Sequence, residues 1–257
     1  MSYPFLQKCA AGKRPWSDFS RFITTIARSL RQPEELGDMV EVSPSIEDYL
    51  ENIYRLQEKD GLARTKELAV KMYVSLGTIT NTVEMLERQG FVTHRPYKGV
   101  RLTEEGKKIA LDVIRRHRLV ERLLTDILHM DWSKAHEVAC RLEHGFTEDV
   151  IRPLRKILGH PKTCPHGNPI PTRHGGITEK KSSSLIDLKP RERGTIVKIV
   201  EENRDLLQYL RSLGLVPGAS VKVEEKIPLD GSVAVKLEDA DSPLSSKVAS
   251  VLWVRKK

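Results

Sequence analysis

The amino-acid sequence predicts a mainly α-helical protein with a small β domain at its C-terminal end. Apolar residues recur at helical spacing across most of residues 45–158, as the buried faces of amphipathic helices require. A short basic hairpin interrupts these helices near residues 91–102, and from Leu185 onward apolar and polar residues alternate as they do in strands. A chain of 257 residues has room for two or three such domains.

Composition and charge favour a globular protein with a polyanionic partner. The chain has 39% hydrophobic residues and a net charge of +8, which makes nucleic acid the simplest partner to expect, although many proteins without one carry a similar charge. No apolar run approaches the roughly 18 residues that span a bilayer, and the N-terminus lacks a secretory signal pattern. The cysteines Cys9, Cys140 and Cys164 form no disulfide framework, so we expect a reduced, cytoplasmic location without membrane contact.

Residues 1–40 form an N-terminal extension to which the sequence assigns no function. A plausible helix cap at Ser17 precedes an amphipathic pattern, and Pro33 ends it. The apolar residues of this pattern are Phe19, Phe22, Ile23, Ile26, Ala27 and Leu30. Met39 would also serve well as a start of the chain.

Residues 41–110 predict a winged helix-turn-helix. "SPSIEDYLENIYRLQEKDG" predicts a helix that is capped at Ser45 and ends at Gly61, and the short helix "TKELAVKMY" follows it. After a turn, a third helix runs from about Leu76 to Gln89, and "GFVTHRPYKGVRLTEEG" predicts a two-stranded hairpin with basic residues at its tip. This order of elements is typical of a winged helix-turn-helix, although a three-helix bundle that does not bind DNA could show the same helix spacing.

The third helix and the hairpin provide candidate DNA contacts. The N-terminal residues of a recognition helix reach base edges, where Asn can pair with adenine, while Ser and Thr suit phosphates or bases. Basic side chains near the hairpin tip would meet backbone phosphates. The candidate DNA-binding residues are Ser75, Thr78, Thr80 and Asn81 on the helix and Arg95, Lys98 and Arg101 on the hairpin.

Residues 111–178 predict a second helical domain, and residues 179–257 predict a small β domain. The helical pattern resumes at Lys107 and continues through two helices that are joined near Met130. Residues 159–176 are rich in Pro, Gly and His and predict a loop. "GTIVKIV", "SVKVEEK" and "VAVKLED" alternate as strands do, so we expect an all-β domain of about 70 residues.

Side chains that can bind metal recur at helical spacing on three of the predicted helices. Residues three or four positions apart share one side of a helix, so each set can face a common point. The candidate ligands are Asp48 and Glu51 on the first helix, His117 and Glu121 on a later one, and His136, Cys140, Glu143 and His144 on the next. One such pair is usually a solvated polar face, but three sets in one chain favour a metal site.

The types of ligand suit several ions. Carboxylates and imidazoles suit manganese or ferrous iron, a thiol suits softer ions, and zinc is the alternative because it binds almost any such set. "TCPHG" adds Cys164 and His166, but these lack partners at a clear spacing and are interpreted as part of a loop.

Several segments resemble the diphtheria-toxin-repressor and manganese-transport-regulator family of metal-dependent repressors. They are "SIEDYLENIYRL", "RHRLVERLLTDIL", "AHEVACRLEH" and "HGNPIP", and the resemblance runs from about Val42 to Pro171. The β region, with "LRSLGLVPGASVKV", resembles the SH3-like, FeoA-type domain of the longer members. The resemblance implies a homodimer with a winged helix, a helical metal-binding and dimerisation domain, and an SH3-like β-barrel.

The resemblance also implies a function. Divalent metal would promote binding to a double-stranded DNA operator, which we expect to be palindromic, and the protein would repress metal-uptake genes. Neither enzymatic activity nor a small-molecule substrate is implied.

Carried over by residue, the resemblance implies two metal sites and room for two ions per protomer. One site would use His117, Glu121 and His136, with Glu201 from the β domain, although Arg204 stands where a Gln is expected. The other site would use Asp48, Cys140, Glu143 and His144, with Glu51 as a further ligand. Mn²⁺ is the first choice because Asp48 and Glu51 favour a hard ion, and Fe²⁺ is the second because of Cys140.

Three alternatives stay open at this point. A metallohydrolase is disfavoured because no nucleophile or Gly-rich loop accompanies the candidate ligands. A metal-independent winged-helix regulator would keep them as a polar helical face. An adaptor is disfavoured because the SH3-like module lacks the aromatic groove that proline-rich peptides need.

Overall fold

The structure is a computed structural model that describes residues 42–95, 98–179, 181–227, 231–237 and 240–256. The helix expected in the N-terminal extension lies outside these residues. Within the described part of the chain, no helix is both long and apolar enough to cross a lipid bilayer.

The first domain has the predicted order of helices and strands. Its elements are α1 (Pro44–Asp60), α2 (Thr65–Met72), α3 (Leu76–Arg88), β1 (Val92–Arg95) and β2 (Gly99–Leu102). One core joins all of these elements, and its fully buried members include Leu50, Ile53, Leu68, Ile79, Leu86 and Val100. Helix α3 is therefore held against α1 by apolar packing.

Helix α1 begins earlier than the sequence pattern predicts. Its cap is Ser43, whose Oγ accepts a hydrogen bond from the Ile46 amide at 3.5 Å, so the predicted cap at Ser45 is wrong by two residues. Pro44 takes the first helical position, where a missing N–H leaves no hydrogen bond unmade. Gly61 ends the helix as predicted, with a left-handed φ of 73°.

Helix α4 (Glu104–Arg122) is shared by two domains. Ile109 and Ala110 pack in the core of the first domain, whereas Leu119 and Val120 pack in clusters farther along the chain. The boundary expected between residues 110 and 111 therefore falls inside one continuous helix, which joins the two domains without a flexible linker.

The helical domain continues after a bend at the end of α4. A π-helical turn (Leu123–Ile127) is followed by α5 (Trp132–Leu142), a 3₁₀ turn (Glu143–Gly145) and α6 (Glu148–Ile157). Asp131 caps α5 by accepting a hydrogen bond from the Ser133 amide at 2.9 Å. Helix α5 packs on α4 through Ala135 and Ala139, which are fully buried.

The C-terminal domain is built on an antiparallel sheet, as predicted, and it also contains two helices that the prediction of an all-β domain left out. The strands are β3 (Ser183–Ser184), β4 (Arg193–Ile199), β5 (Ser220–Lys226), β6 (Val233–Leu237), β7 (Ala240–Leu244) and β8 (Leu252–Lys256), in the order β3-β8-β4-β5-β6-β7. The helices are α7 (Arg204–Ser212) and α8 (Ser246–Val251). Leu207 and Leu210 of α7 are fully buried in the core of this domain.

The C-terminal domain packs directly on the helical domain, with α7 against α5. The loop around Gly167 runs along β4. The Ile199 amide donates a hydrogen bond to the His166 carbonyl (2.9 Å), and the Asn168 side chain donates one to the Ile199 carbonyl (2.7 Å). A Cβ on Gly167 would lie 2.0 Å from the Val197 carbonyl oxygen, so this close approach requires glycine.

Candidate metal centre and DNA-binding surface

Helices α4 and α5 bring three predicted ligands together in a buried cluster. His117 and Glu121 are one helical turn apart on α4, and His117 Nε2 lies 3.0 Å from Glu121 Oε1. His136 approaches from α5, with its Nδ1 3.0 Å from His117 Nε2 and 3.3 Å from Glu121 Oε1. The exposed fractions of His117 and Glu121 are 1% and 0%, so these polar groups depend on each other for partners.

The C-terminal domain adds Glu202 to this cluster in place of the predicted Glu201. Glu202 is buried, and its Oε2 lies 3.5 Å from His136 Nδ1. Glu201 is exposed and accepts a hydrogen bond from Asn203 at 3.1 Å. The turn after β4 points one carboxylate into the protein and the other toward solvent, so the prediction of Glu201 is wrong by one residue.

Cys164 and His166 form a second group around the same carboxylates. His166 Nδ1 lies 3.3 Å from Glu121 Oε1 and 3.4 Å from Glu202 Oε1. Cys164 Sγ lies 3.7 Å from Glu202 Oε1, and both side chains are buried. They lie in a loop, as predicted, but they do have partners, which come from α4 and from the C-terminal domain and are distant in sequence.

The buried carboxylates and imidazoles stabilise each other's charged forms. Burial alone would raise the pKa of Glu121, but His117, His136 and His166 hold that pKa well below its usual range. Burial alone would lower the pKa of His136, but hydrogen bonds with Cys140 and Glu121 raise it to about 9. The cluster therefore requires positive charge, which protons provide on the imidazoles and which a cation could provide instead.

Two carboxylate oxygen atoms in the cluster that lack a hydrogen bond fit a cation. Glu121 Oε2 and Glu202 Oε2 are both buried, and neither has a hydrogen-bond partner among the described residues. A buried carboxylate oxygen without a partner is unfavourable unless a cation or a donor compensates it. Imidazole nitrogen, thiolate sulfur and carboxylate oxygen are all ligands of divalent transition metals, so the residues present fit such an ion.

A separate group joins α1 to the 3₁₀ turn after α5. His144 Nε2 lies 3.1 Å from Asp48 Oδ1 and 3.6 Å from Glu143 Oε1. The other ring nitrogen, His144 Nδ1, lies 2.6 Å from Glu47 Oε2, a contact that the sequence pattern did not indicate. Glu143 Oε2 lies 2.5 Å from His117 Nδ1, which connects this group to the buried cluster.

Cys140 and Glu51 do not complete the Asp48 group in this structure. The Cys140 thiol lies 3.8 Å from His136 Nε2 and 3.9 Å from His117 Nδ1, so it is grouped with these imidazoles. Glu51 is buried and pairs with Arg55 on the next turn of α1 at 2.8 Å. Metal ligation by either side chain stays a prediction.

The predicted DNA-binding residues are all exposed. They are Ser75, Thr78, Thr80, Asn81, Arg95, Lys98 and Arg101. Ser75 also caps α3, because its Oγ accepts a hydrogen bond from the Thr78 amide at 3.1 Å. Exposure meets a requirement for DNA contact, and the contact itself stays a prediction.

Three family models match most of the chain. Residues 41–100 match the N-terminal DNA-binding domain of iron-dependent repressors, and residues 103–172 match the metal-binding and dimerisation domain of iron-dependent repressors. Residues 184–256 match the FeoA domain.

Named relatives and a solved structure agree with these matches. The chain is 35% identical over 202 residues to the iron-dependent repressor IdeR of Mycobacterium tuberculosis, an alignment that covers 72% of this chain and 86% of IdeR. It is 32% identical over 196 residues to the diphtheria toxin repressor of Corynebacterium efficiens, covering 74% of this chain and 85% of that protein. A manganese-dependent transcriptional repressor in complex with manganese has a similar structure, with a TM-score of 0.78 at 30% identity, over 82% of this chain and 100% of that one. The family matches, the sequence identities and the shared fold together show that the chain belongs to the iron-dependent repressor family of DNA-binding transcriptional repressors.

Proposed function

We propose that the protein is a homodimeric repressor that binds a palindromic DNA operator when it holds divalent metal, and that it controls metal-uptake genes. Its family consists of DNA-binding repressors rather than enzymes, which removes the metallohydrolase alternative. We infer a cytoplasmic location because a repressor must share a compartment with its operator.

The contact between α1 and the turn after α5 carries this proposal. Asp48 belongs to the DNA-binding domain, whereas Glu143 and His144 belong to the helical domain. One ligand atom from each of these residues lies within 4.8 Å of the other two, which is close enough for all three to share one ion. By sharing a cation, these side chains would fix one domain against the other.

Ligation by Asp48 would favour the orientation of α1 that suits DNA binding. Leu50 of α1 and Ile79 of α3 pack in the same core, so a change in α1 is passed to the recognition helix. In a homodimer the two recognition helices must reach successive major grooves about 34–36 Å apart. Metal can shift this arrangement only by the difference in its affinity for the two states.

We infer Mn²⁺ as the first choice and Fe²⁺ as the second, with up to two ions per protomer at the Asp48 group and at the buried cluster. The Asp48 group offers only oxygen and nitrogen atoms, because the Cys140 thiol lies with His117 and His136. Oxygen-rich sites suit Mn²⁺, whereas thiolates suit softer ions. The relatives include both iron-dependent and manganese-dependent repressors, so they do not favour either ion. The preference for Mn²⁺ therefore rests on the chemistry of the ligands.

Replacing His144 tests the proposal. We expect a His144→Ala protein to keep its fold, because the side chain is only partly buried, and to lose Mn²⁺-stimulated DNA binding. The measurement is fluorescence anisotropy with labelled duplexes that the wild-type protein selects from a random pool in Mn²⁺. His174→Ala is the matched control, because it removes an exposed imidazole outside every candidate ligand group. Unchanged Mn²⁺ stimulation in His144→Ala would contradict the proposal.

A metal-independent winged-helix regulator is the second candidate, and the contacts of Glu47 favour it. Glu47 Oε2 lies 2.6 Å from His144 Nδ1, and Glu47 Oε1 lies 2.5 Å from an Arg116 nitrogen. Protein side chains alone therefore join α1 to the helical domain. This hypothesis predicts equal duplex binding in Mn²⁺ and in EDTA, and a loss of binding in both conditions for Glu47→Gln.

A further inference from the structure

Resting on the DNA-binding function, we propose that the C-terminal domain carries a second DNA-binding surface, which contacts phosphates of the duplex outside the bases that α3 reads. The centre of this surface is a row of three cations, Arg193 on β4, Lys222 on β5 and Lys236 on β6, which we call the basic row. Its ligand is the sugar-phosphate backbone, so the contact adds affinity without adding sequence specificity.

The strand register places the three cations of the basic row side by side. Arg193 is paired with Lys222, and Lys222 is paired with Lys236, so their side chains lie on one face of three neighbouring strands. Neighbouring strands lie about 4.8 Å apart, which brings the three backbone positions within roughly 10 Å. The row ends at β7, where Asp241 is paired with Lys236. Like charges directly opposite each other destabilise a sheet, and a bound polyanion removes this repulsion.

Carboxylates beside the basic row leave most of its charge uncompensated. Glu224 and Glu225 are the acidic residues of β5, and the two oxygens of Glu224 accept hydrogen bonds from Lys222 at 2.6 and 2.8 Å. This contact and the charges of Lys222, Lys236 and Arg193 lower the pKa of Glu224. Arg193 and Lys236 are exposed, and neither forms an ion pair within 4.0 Å in the part of the chain that the structure describes.

The residues next to the basic row also suit phosphate. Thr195 lies two positions along β4 from Arg193 and is paired with Arg255 on one side and with Ser220 on the other. Arg, Lys, Ser and Thr are among the side chains that contact phosphate oxygens in protein–DNA complexes. None of these positions holds a large apolar side chain, which a surface that binds a lipid membrane inserts among the headgroups. The composition of this face therefore favours DNA over a membrane.

The basic row lies at the end of β4 that is farther from the helical domain. The last residue of β4 is Ile199, whose amide donates a hydrogen bond to the His166 carbonyl of the helical domain. Arg193 comes six residues earlier, which is about 20 Å at 3.3 Å per residue. Helix α3 packs in the core of the first domain. We therefore place the contact on DNA that flanks the bases read by α3.

The DNA-binding domain itself has no net charge to attract DNA. Residues 41–110 contain eleven Lys and Arg and eleven Asp and Glu, whereas residues 179–257 contain fifteen Lys and Arg and twelve Asp and Glu. Net positive charge attracts a protein to DNA over a distance and supplies affinity that does not depend on sequence. The C-terminal domain is therefore one source of an attraction that the DNA-binding domain does not supply through its net charge.

The salt dependence of binding to duplexes of two lengths tests the proposal. The short duplex is the site that the wild-type protein selects in Mn²⁺, and the long duplex adds about ten base pairs, one helical turn, at each end. We expect the wild-type protein to show a steeper slope of log K against log salt on the long duplex, by about 0.9 for each additional phosphate contact. Equal slopes on the two duplexes would overturn the proposal, and this comparison needs no variant to fold.

Single charge variants assign the contact to the basic row. We expect Arg193→Gln and Lys236→Gln each to reduce the slope on the long duplex and to leave the slope on the short duplex unchanged. Arg211→Gln is the matched control, because it removes one positive charge from α7, where Arg211 pairs with Asp131 of the helical domain. Wild-type slopes for both row variants on the long duplex would overturn the proposal, and so would equal reductions on the two duplexes. Melting curves show whether each variant is folded.

Vesicles of phosphatidylglycerol and phosphatidylcholine test a membrane as the alternative partner. Sedimentation with these vesicles that is lost in Arg193→Gln, together with unchanged DNA slopes in that variant, would overturn the assignment to DNA.

Repeating the DNA measurements in EDTA separates this inference from the proposed function. Equal affinity in Mn²⁺ and in EDTA, with a steeper slope on the long duplex in both, means that the surface is correct and the metal dependence is wrong. Binding that Mn²⁺ stimulates, with equal slopes on the two duplexes, means that the metal-dependent repressor stands and the surface is wrong.

Discussion

Asp48, together with Glu47, joins the DNA-binding domain to the candidate ligands of the helical domain. Its Oδ1 lies 3.1 Å from His144 Nε2, and 44% of its side chain is exposed. Burial raises the pKa of Asp48, and the charge of His144 opposes this effect. An exposed carboxylate at a domain contact can be reached by a cation from solvent and can be replaced without disturbing the core.

Replacing Asp48 with methionine should move the metal preference from Mn²⁺ toward Fe²⁺, because a thioether is a softer ligand than a carboxylate. We expect the affinity for Mn²⁺ to fall by at least about tenfold and the affinity for Fe²⁺ to fall less. The measurement is DNA-binding anisotropy against each free ion under anaerobic, reducing conditions. Asp60→Met, at the exposed end of the same helix, is the control. Equal losses for the two ions in Asp48→Met would contradict this role.

Which candidate ligands meet was predictable for side chains on the helices, whereas it was not predictable for side chains on turns. On α4 and α5, residues four positions apart share a face, so spacing alone indicates which side chains meet. In the turn after β4 no such rule applies, and Glu201 was predicted where Glu202 enters the cluster. Cys164 and His166 were missed for the same reason, since local backbone conformation and contacts with a distant domain decide where they point.

Helix α4 is the element that connects the DNA-binding domain to the candidate metal centre. Its first half packs in the core of the DNA-binding domain, and its second half carries His117 and Glu121. Arg116, between these halves, contacts Glu47 of α1 at 2.5 Å and donates a hydrogen bond to the Glu143 carbonyl at 3.1 Å. One continuous helix therefore places α1 and the turn that carries Glu143 and His144 next to each other.

Arg55 should prove important for stability because it links α1 to the C-terminal domain. It pairs with Glu51 at 2.8 Å and lies 3.7 Å from Glu202 Oε2, and both carboxylates are buried. We expect Arg55→Met to lower the free energy of unfolding in EDTA by about 1–3 kcal/mol, because the carboxylates lose this partner. The measurement is urea denaturation followed by circular dichroism.

Arg64→Met is the matched control for Arg55→Met. The ion pair of Arg64 with Glu67 is exposed, so its loss should cost less than about 1 kcal/mol. Saturating metal should reduce the effect of Arg55→Met, since a cation at Glu202 replaces part of the lost charge. Equal losses of unfolding free energy in the two variants would show that Arg55 stabilises the protein no more than an exposed ion pair does.

Helical periodicity predicted the order of the long helices because each buries a continuous apolar stripe. The same rule failed for α7, which has nine residues and lies within a region of alternating strands. Its buried face rests on Leu207 and Leu210, and so few positions do not establish a period. Long elements were therefore predictable, while short elements depended on packing with the rest of the domain.

In the whole molecule, the C-terminal domain is a structural part of the candidate metal centre. It supplies Glu202 directly, and β4 holds the loop that carries Cys164 and His166. The sequence predicted the presence of this domain and its resemblance to FeoA-type modules. Its packing against α5 could not be predicted, because an interface between domains leaves no periodic signal in either segment.

Gly167→Ala should disturb this junction between the domains. The residue has a φ of 88°, and a Cβ there would lie 2.0 Å from the Val197 carbonyl oxygen, so the loop must move away from β4. We expect a loss of about 1–3 kcal/mol in stability, because the loop loses its close packing and its hydrogen bonds with β4. Gly218→Ala is the control, since Gly218 has a φ of 99° with nothing within 4 Å of the added Cβ. Similar losses in the two variants would show that the positive φ alone, and not the close approach to β4, causes the effect of Gly167→Ala.

The proposed repressor rests on coupling between metal and DNA, and that coupling must be reciprocal. If ligation by Asp48, Glu143 and His144 favours the DNA-binding arrangement, Mn²⁺ and the selected duplex must raise each other's affinity by the same factor, roughly 5–150-fold. The most direct measurement is therefore the Kd for Mn²⁺ with and without saturating duplex, beside the Kd for duplex with and without Mn²⁺. We predict equal factors in the wild-type protein and a factor close to one in His144→Ala. An affinity for Mn²⁺ that is the same with and without DNA in the wild-type protein would contradict the proposal.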